Sequence, residues 1–169
     1  GNDEALDEIF TFGNRNPQGL VVTQAGDAWA TEHGPLGGDE LNRLIGGENY
    51  GWPEVSLGKT YVSRRPVGEA TLPGMRDPVH VFEDRFAPSG LAEVTSPMFE
   101  AWRGNLLAGG LHREQLYRLT LENAQVVDTE LVLDGQIGRI RDVHQGQDGA
   151  IYLINDDPQG SLYRLRPVN

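Results

Sequence analysis

The sequence predicts an all-β protein built from repeated units of short antiparallel strands. Its 22 glycines and 10 prolines are too many for a helical bundle and suit short strands joined by turns. Helical periodicity is nearly absent, and the apolar stretches are short and rich in Val, Ile, Leu, Tyr and Trp. The turn glycines Gly104 and Gly149 lie 45 residues apart, which is the period of a four-stranded propeller blade.

Each predicted strand is a short apolar run bounded by Gly, Pro, Asn or Asp. In chain order the predicted strands are Gly19–Thr23, Ala28–Glu32, Gly90–Val94, Asn105–Gly110, Gln115–Thr120, Val126–Leu133, Ile140–Gln145, Ala150–Asn155 and Ser161–Arg166. The repeated unit is a strand, a turn with Gly or Asp-Gly, a second strand, and then one or two more strands.

These units predict about three four-stranded antiparallel blades, which form one partial β-propeller domain over residues 1–169. We expect the blades to divide at about 1–35, 79–133 and 134–168, with a loop insertion at 34–78. Propellers carry ~4–8 blades, so three blades would leave two radial faces bare. On strand pattern alone, an antiparallel β-sandwich remains the alternative.

Composition excludes several classes of function. The formal charge of −11, with acids along the whole chain, repels nucleic acid and anionic membranes, so we expect neither as a partner. The absence of cysteine excludes disulfides, thiolate catalysis and zinc–thiolate sites. No apolar run approaches the ~20 residues of a spanning helix, and no signal peptide is visible.

A glycine-rich loop from Glu32 to Glu40 (EHGPLGGDE) is the most informative stretch. Its two glycine turns and one proline lie among three acids and a histidine, so that backbone carbonyls and carboxylates can converge on a hard cation such as Ca²⁺. A plain surface turn is the alternative and is favoured by composition alone. The aromatic turn Asn49–Pro53 (NYGWP) either covers a core edge or forms a wall against a planar ligand.

Two arginines alternate along one predicted strand. Side chains of a strand alternate between its two faces, so Arg139 and Arg141 are predicted to lie on one face and Ile140 on the other. Such a pair suits a planar ligand with several carboxylates, because each guanidinium binds carboxylate bidentately. Pairing with Asp142 or other surface acids is the alternative. Arg15 and Asn16 add a cation and an amide at the entry to another strand.

The histidines form no zinc-type pair, since none has a second histidine at i+2 or i+4. No nucleophile elbow, phosphate-binding loop or dinucleotide motif occurs either. The residues by themselves therefore indicate an anion-binding all-β protein.

Several motifs in one order resemble a known family. They are Asn14–Leu20 (NRNPQGL), Glu32–Glu40, Asn49–Pro53, Ala87–Gly90 (APSG), Gly138–Val143 (GRIRDV) and Asp148–Tyr152. The chain resembles the soluble glucose/sorbosone dehydrogenase family, closest to the bacterial aldose sugar dehydrogenases, from about Ile9 to Pro167.

The resemblance implies a six-bladed propeller that holds pyrroloquinoline quinone (PQQ) and Ca²⁺ over its central face and oxidises C1 of an aldose. It places Gly34 and Pro35 at the Ca²⁺ and Glu40 and Tyr50 at a metal. The positions that it implies contact the cofactor are Arg15, Asn16, Tyr61, Gly110, Leu111, His112, Arg139, Ile140 and Arg141.

The sequence also departs from the family. His112 stands where the family usually has Lys, and Phe82 with Glu83-Asp84-Arg85 replaces the aromatic and small polar residues expected before Ala87. The catalytic histidine of the family belongs to an N-terminal half that this chain does not match, and neither His33 nor His144 fits its motif.

We therefore expect a half-propeller with no catalytic residue of its own and little activity alone. A second copy in a homodimer, or a separate N-terminal half, would complete the ring. The alternative is a non-catalytic module that binds carbohydrate or anions. The resemblance implies a periplasmic or secreted location.

Overall fold

The computed structural model describes Leu6 and residues 8–167, almost all of whose regular structure is strand. The strands form three sheets, and every hydrogen-bonded pair within a sheet is antiparallel. Among the described residues, no helix is long and apolar enough to cross a membrane.

The first sheet contains β1 (Pro17–Val22), β2 (Ala28–Glu32), β3 (Glu40–Leu44) and β4 (His80–Val81), in that spatial order. The interval 34–78, which we expected to be a loop insertion, thus contributes β3. The sequence pattern missed β3 and β4. The run ELNRL shows no clear alternation between apolar and polar residues, and β4 has two residues whose pairing with β3 defines it.

The second sheet contains β5 (Pro88–Glu93), β6 (Leu106–Gly110), β7 (Gln115–Glu122) and β8 (Gln125–Asp134). A short 3-10 segment, Pro97–Trp102, connects β5 to β6, and the side chain of Ser96 accepts a hydrogen bond from Met98 N at its start.

The third sheet contains β9 (Ile140–Gln145), β10 (Ile151–Asn155) and β11 (Leu162–Leu165). The described residues give this sheet three strands, one fewer than the pattern suggested. All nine strands predicted from the sequence are present, and Ala28–Glu32 and Ile140–Gln145 have the predicted bounds.

The three sheets stack in chain order with their first strands together. β1 contacts β5, and β5 contacts β9. Thr31 Oγ1 donates to Ser89 O (2.8 Å), and Ser89 Oγ donates to Ile140 O (2.6 Å), which joins all three sheets. This arrangement excludes a two-sheet sandwich, so the prediction of propeller blades is confirmed.

Glycines make the close approach of the first strands possible. A Cβ on Gly19 would lie 2.7 Å from Leu91 Cβ, and one on Gly90 would lie 2.6 Å from Val143 N. Neighbouring first strands therefore approach nearly to backbone contact, as radial blades do around an axis.

Two apolar cores fill the spaces between the sheets. Trp29, Leu41, Leu91 and Leu106 belong to the core between the first and second sheets. A second core lies between the second and third sheets and contains Ala92, Val94, Phe99, Leu107, Leu116, Ile140, Val143, Ile151 and Leu153. Each blade thus depends on its neighbour for burial.

Candidate functional site

The loops at one end of the first strands form a common surface, which we call the hub face. At this end the first and second strands of each sheet are paired in equivalent register, as Pro17 with Glu32, Pro88 with Gly110 and Ile140 with Asn155. The residues just outside these pairs are Arg15, Asn16, His33, Gly34, Ala87, Leu111, His112, Arg139 and Asp156.

Hydrogen bonds connect the three blades across the hub face. His33 Nε2 lies 2.6 Å from Pro88 O, Leu111 N donates to Ala87 O at 2.9 Å, and Arg139 Nη1 reaches Leu111 O at 3.4 Å. The structure thus brings together sequence motifs that lie more than a hundred residues apart.

Arg15 is held over the first blade by three different groups. Its Nη1 donates to His33 O at 2.8 Å, its Nη2 donates to Tyr61 Oη at 3.3 Å, and its guanidinium stacks on the Trp52 ring at 5.2 Å from the centroid. The predicted residues Arg15 and Tyr61 are therefore neighbours. Trp52 of the aromatic turn is the wall beside them.

Glu32 fixes the loop that carries Arg15 and Asn16. Its side chain is buried, and its carboxylate accepts hydrogen bonds from the backbone N–H groups of both residues and from the side-chain amides of Asn14 and Asn42. A buried carboxylate needs such donors, because desolvation of an unpaired charge is costly. The sequence identified the acidic loop but not this role.

Arg139, immediately before β9, and Arg141, within it, reach the same carboxylate, in agreement with the prediction that they share one face. Both donate to Asp156 Oδ2, Arg139 Nη2 at 2.9 Å and Arg141 Nη2 at 2.8 Å. Hydrogen bonds from Arg139 and then Arg141 lower the pKa of Asp156. The acid between them is therefore Asp156, which the sequence analysis missed, and not Asp142, whose Oδ1 accepts from Val143 N.

Some predicted cofactor positions offer no free side chain. Ile140 is completely buried in the second core, and its carbonyl accepts from Ser89 Oγ. Gly110 lies against the Phe86 ring and Leu111 is buried, so this segment presents mainly backbone. His112 and Asn16 are exposed at the hub face.

Three of the four predicted metal residues line one small cavity of about 20 Å³. Gly34, Glu40 and Tyr50 line it, together with Gly13, Arg15, Glu32, His33, Gly38, Trp52, Val55 and Ser56. Pro35 is not part of the lining, and its carbonyl accepts from Lys59 N at 2.6 Å. The Tyr50 hydroxyl donates to Arg43 O at 2.5 Å and accepts from Ile45 N at 3.1 Å.

Burial raises the pKa of two groups in this cavity, the carboxyl of Glu40 and the hydroxyl of Tyr50. Burial, and then the charges of Glu32 and Asp39, raise the pKa of Glu40 to about 7 against a single opposing hydrogen bond from Asn42. In the described part of the chain, no group of three or more His, Asp or Glu side chains could hold a metal. Of the two glutamates that line the cavity, Glu32 already accepts four hydrogen bonds, so a cation here would depend on Glu40 and on backbone oxygens.

Comparison with known proteins identifies the family. The glucose/sorbosone dehydrogenase family model matches residues 1–164. The chain belongs to this family. A curated relative, the aldose sugar dehydrogenase of Escherichia coli, is 36% identical over 166 residues, which are 96% of this chain and 44% of that protein.

Solved structures of family members have the same architecture. A crystal structure of a glucose dehydrogenase matches 99% of this chain and 49% of its own, with a TM-score of 0.92 and 40% identity. The PQQ-bound aldose sugar dehydrogenase of Streptomyces coelicolor matches 92% of this chain and 43% of its own, with a TM-score of 0.70 and 30% identity. The chain spans about half the length of these relatives.

Proposed function

We propose that this chain supplies the PQQ-binding half of an aldose sugar dehydrogenase, with the quinone held over the hub face. The observation that carries the proposal is the convergence of Arg15, Arg139 and Arg141 on that face in a chain whose overall charge is −11. The S. coelicolor relative supports it, since that protein was solved with PQQ bound.

The arginines fit a planar ligand with several carboxylates. A guanidinium carries more N–H donors than one carboxylate oxygen engages, so Arg139 and Arg141 can hold Asp156 and a ligand at once. Arg15 stands across the face, stacked on Trp52. When bound, the quinone would accept the hydride from the sugar, and this chain's residues bind and orient it.

The cavity beside Glu40 fits a hard cation such as Ca²⁺. A cavity of about 20 Å³ holds one water-sized particle. Burial and the charges of Glu32 and Asp39 raise the pKa of Glu40, and a cation bound beside its carboxylate would offset both effects. Gly34, Glu40 and Tyr50 would hold the cation here, which would polarise a nearby oxygen.

We assign no catalytic base within this chain. His33 Nε2 is engaged with Pro88 O, and His144 lies opposite Tyr152 near the end of β9 that is away from the hub face. The proton acceptor for sugar oxidation would then come from outside the chain. The location outside the cytoplasm that the resemblance implies is part of the same proposal.

A bare sheet face supports completion of the ring by further blades. Leu20, Leu91 and Val143 occupy the same position of the three first strands, three residues after the paired hub-face residue. Leu91 and Val143 are 6% and 3% exposed because each packs on the preceding blade, whereas Leu20 is 66% exposed. A second copy of the chain is the simplest cover for Leu20, and a separate N-terminal half is the other.

A quinone titration tests the binding site. PQQ should bind the chain, and Arg139→Ala should weaken binding about tenfold or more, because a charge-assisted hydrogen bond to carboxylate is lost. Arg164→Ala is the matched control, since Arg164 is similarly exposed and pairs with Asp148 at 2.7 Å on the opposite end of the same sheet.

An unchanged affinity in Arg139→Ala would remove the site assignment. A dye-linked assay with aldose, PQQ and Ca²⁺ then separates the two functions: turnover supports an enzyme, and quinone binding without turnover supports a binding module.

A further inference from the structure

One carboxylate oxygen organises the two arginines at the start of β9, Arg139 just before the strand and Arg141 within it. Asp156 Oδ2 accepts from Nε (3.1 Å) and Nη2 (2.9 Å) of Arg139 and from Nη2 (2.8 Å) of Arg141. Two guanidiniums on the same side of a strand repel each other and carry much rotamer freedom. The shared oxygen counters both effects.

The backbone holds Asp156 in place. Its N–H donates to Arg139 O at 2.7 Å, just beyond the paired residues Ile140 and Asn155. The side-chain amide of Asn155 donates to Ile137 O at 3.1 Å, which ties the end of β10 to the segment before β9. The position of the carboxylate is therefore set by strand pairing and does not depend on a ligand.

A second contact, to the backbone of the neighbouring blade, also holds the guanidinium of Arg139. Its Nη1 reaches Leu111 O at 3.4 Å, so the guanidinium spans from the second blade to Asp156. Arg141 uses only Nη2 for Asp156 among the described residues. Unused N–H groups of both arginines thus remain beside each other on the hub face.

We infer that Asp156 is a positioning residue for an anionic ligand of the hub face: it presets Arg139 and Arg141 to receive ligand carboxylates. The inference rests on the proposed function, because the ligand is the carboxylated quinone. Presetting the two side chains before binding removes part of the entropy cost of ordering them on association.

PQQ titrations of Asp156→Ala and Asp156→Asn, followed by fluorescence at constant ionic strength, test this role. Asp156→Ala should bind PQQ about tenfold more weakly, the effect expected when two rotamer-rich side chains must be ordered on binding. Asp156→Asn should stay within about threefold of the wild type, because its amide oxygen accepts the same N–H groups without the charge.

Asp148→Ala provides the matched control. Asp148 has nearly the same side-chain exposure as Asp156 (42% and 38%) and pairs with Arg164 in the same blade, but at the opposite end of the strands. The Asp148→Ala variant should bind PQQ with the affinity of the wild type. Melting temperatures of the three variants establish that each is folded.

Tighter binding by both Asp156 variants would overturn the inference, because it would make Asp156 a competitor of the ligand. Equal affinity of Asp156→Ala and the wild type would also overturn it. If the wild type itself binds no PQQ, the proposed function fails, and this inference fails with it.

Discussion

The acidity of Glu40 makes the stability of this protein depend on pH in an unusual direction. The pKa of its carboxyl is about 7 in the folded chain, against 4.5 for a glutamate side chain in water. Burial is the largest cause of this increase. The folded state therefore binds the proton more tightly than the unfolded state. The resulting stabilisation is fully present below about pH 4.5 and is lost as the pH rises through about 7.

The size of the effect follows from the same two values. Each pH unit between them corresponds to about 1.4 kcal/mol, so the interval from 4.5 to about 7 amounts to about 3 kcal/mol of unfolding free energy. Glu40→Gln removes this ionisation, and its amide can still accept from Asn42. The variant should exceed the wild type in stability by less than about 1 kcal/mol at pH 5 and by about 3 kcal/mol at pH 8.

Urea unfolding at pH 5 and pH 8 in the presence of a chelator measures this difference. His80 has a pKa lowered by burial, so it contributes stability that increases as the pH rises toward its usual range. Because both proteins contain His80, its contribution cancels when the unfolding free energy of the wild type is subtracted from that of Glu40→Gln. Glu54→Gln, an exposed change nearby in sequence, is the control and should follow the wild type at both pH values.

Calcium at pH 8 provides a second arm of the experiment. If the cation binds beside Glu40, it should stabilise the wild type and have little effect on Glu40→Gln. Parallel pH profiles for the wild type and Glu40→Gln, or a variant that is less stable at pH 8, would refute the reasoning about the buried carboxyl.

Two further changes test the blade arrangement. Gly90→Ala should lower the unfolding free energy by about 1–3 kcal/mol in urea titrations, because its Cβ would meet Val143 N at 2.6 Å as well as Asp142 Oδ1. Gly46→Ala, whose Cβ would meet only the Phe10 ring edge at 3.1 Å, should cost less, and equal stability of the two variants would contradict the close approach. Light scattering should give a mass of two chains for the wild type and one chain for Leu20→Asp, whereas Val62→Asp, at an exposed loop residue, should remain dimeric. A single-chain mass for the wild type would contradict completion of the ring by a second copy.

Sequence alone determined the local features of the protein. Short apolar runs between turn residues located nine strands, and the period of two predicted that Arg139 and Arg141 lie on one side, where both reach Asp156. These features depend on neighbouring residues, and that is why a pattern reveals them. The order of several motifs along the chain also indicated the family.

The tertiary structure decided which distant groups meet. Glu32 could be recognised as an acid in a loop, but its donors come from two other segments, at Asn14–Asn16 and Asn42. Asp156 lies 15 residues from Arg141 and reaches it only because β9 and β10 pair antiparallel, whereas the adjacent Asp142 turns to its own backbone. The pKa of Glu40 likewise reflects burial in a packed cavity. Contacts and desolvation of this kind arise from chain segments far apart in sequence, so no local pattern encodes them.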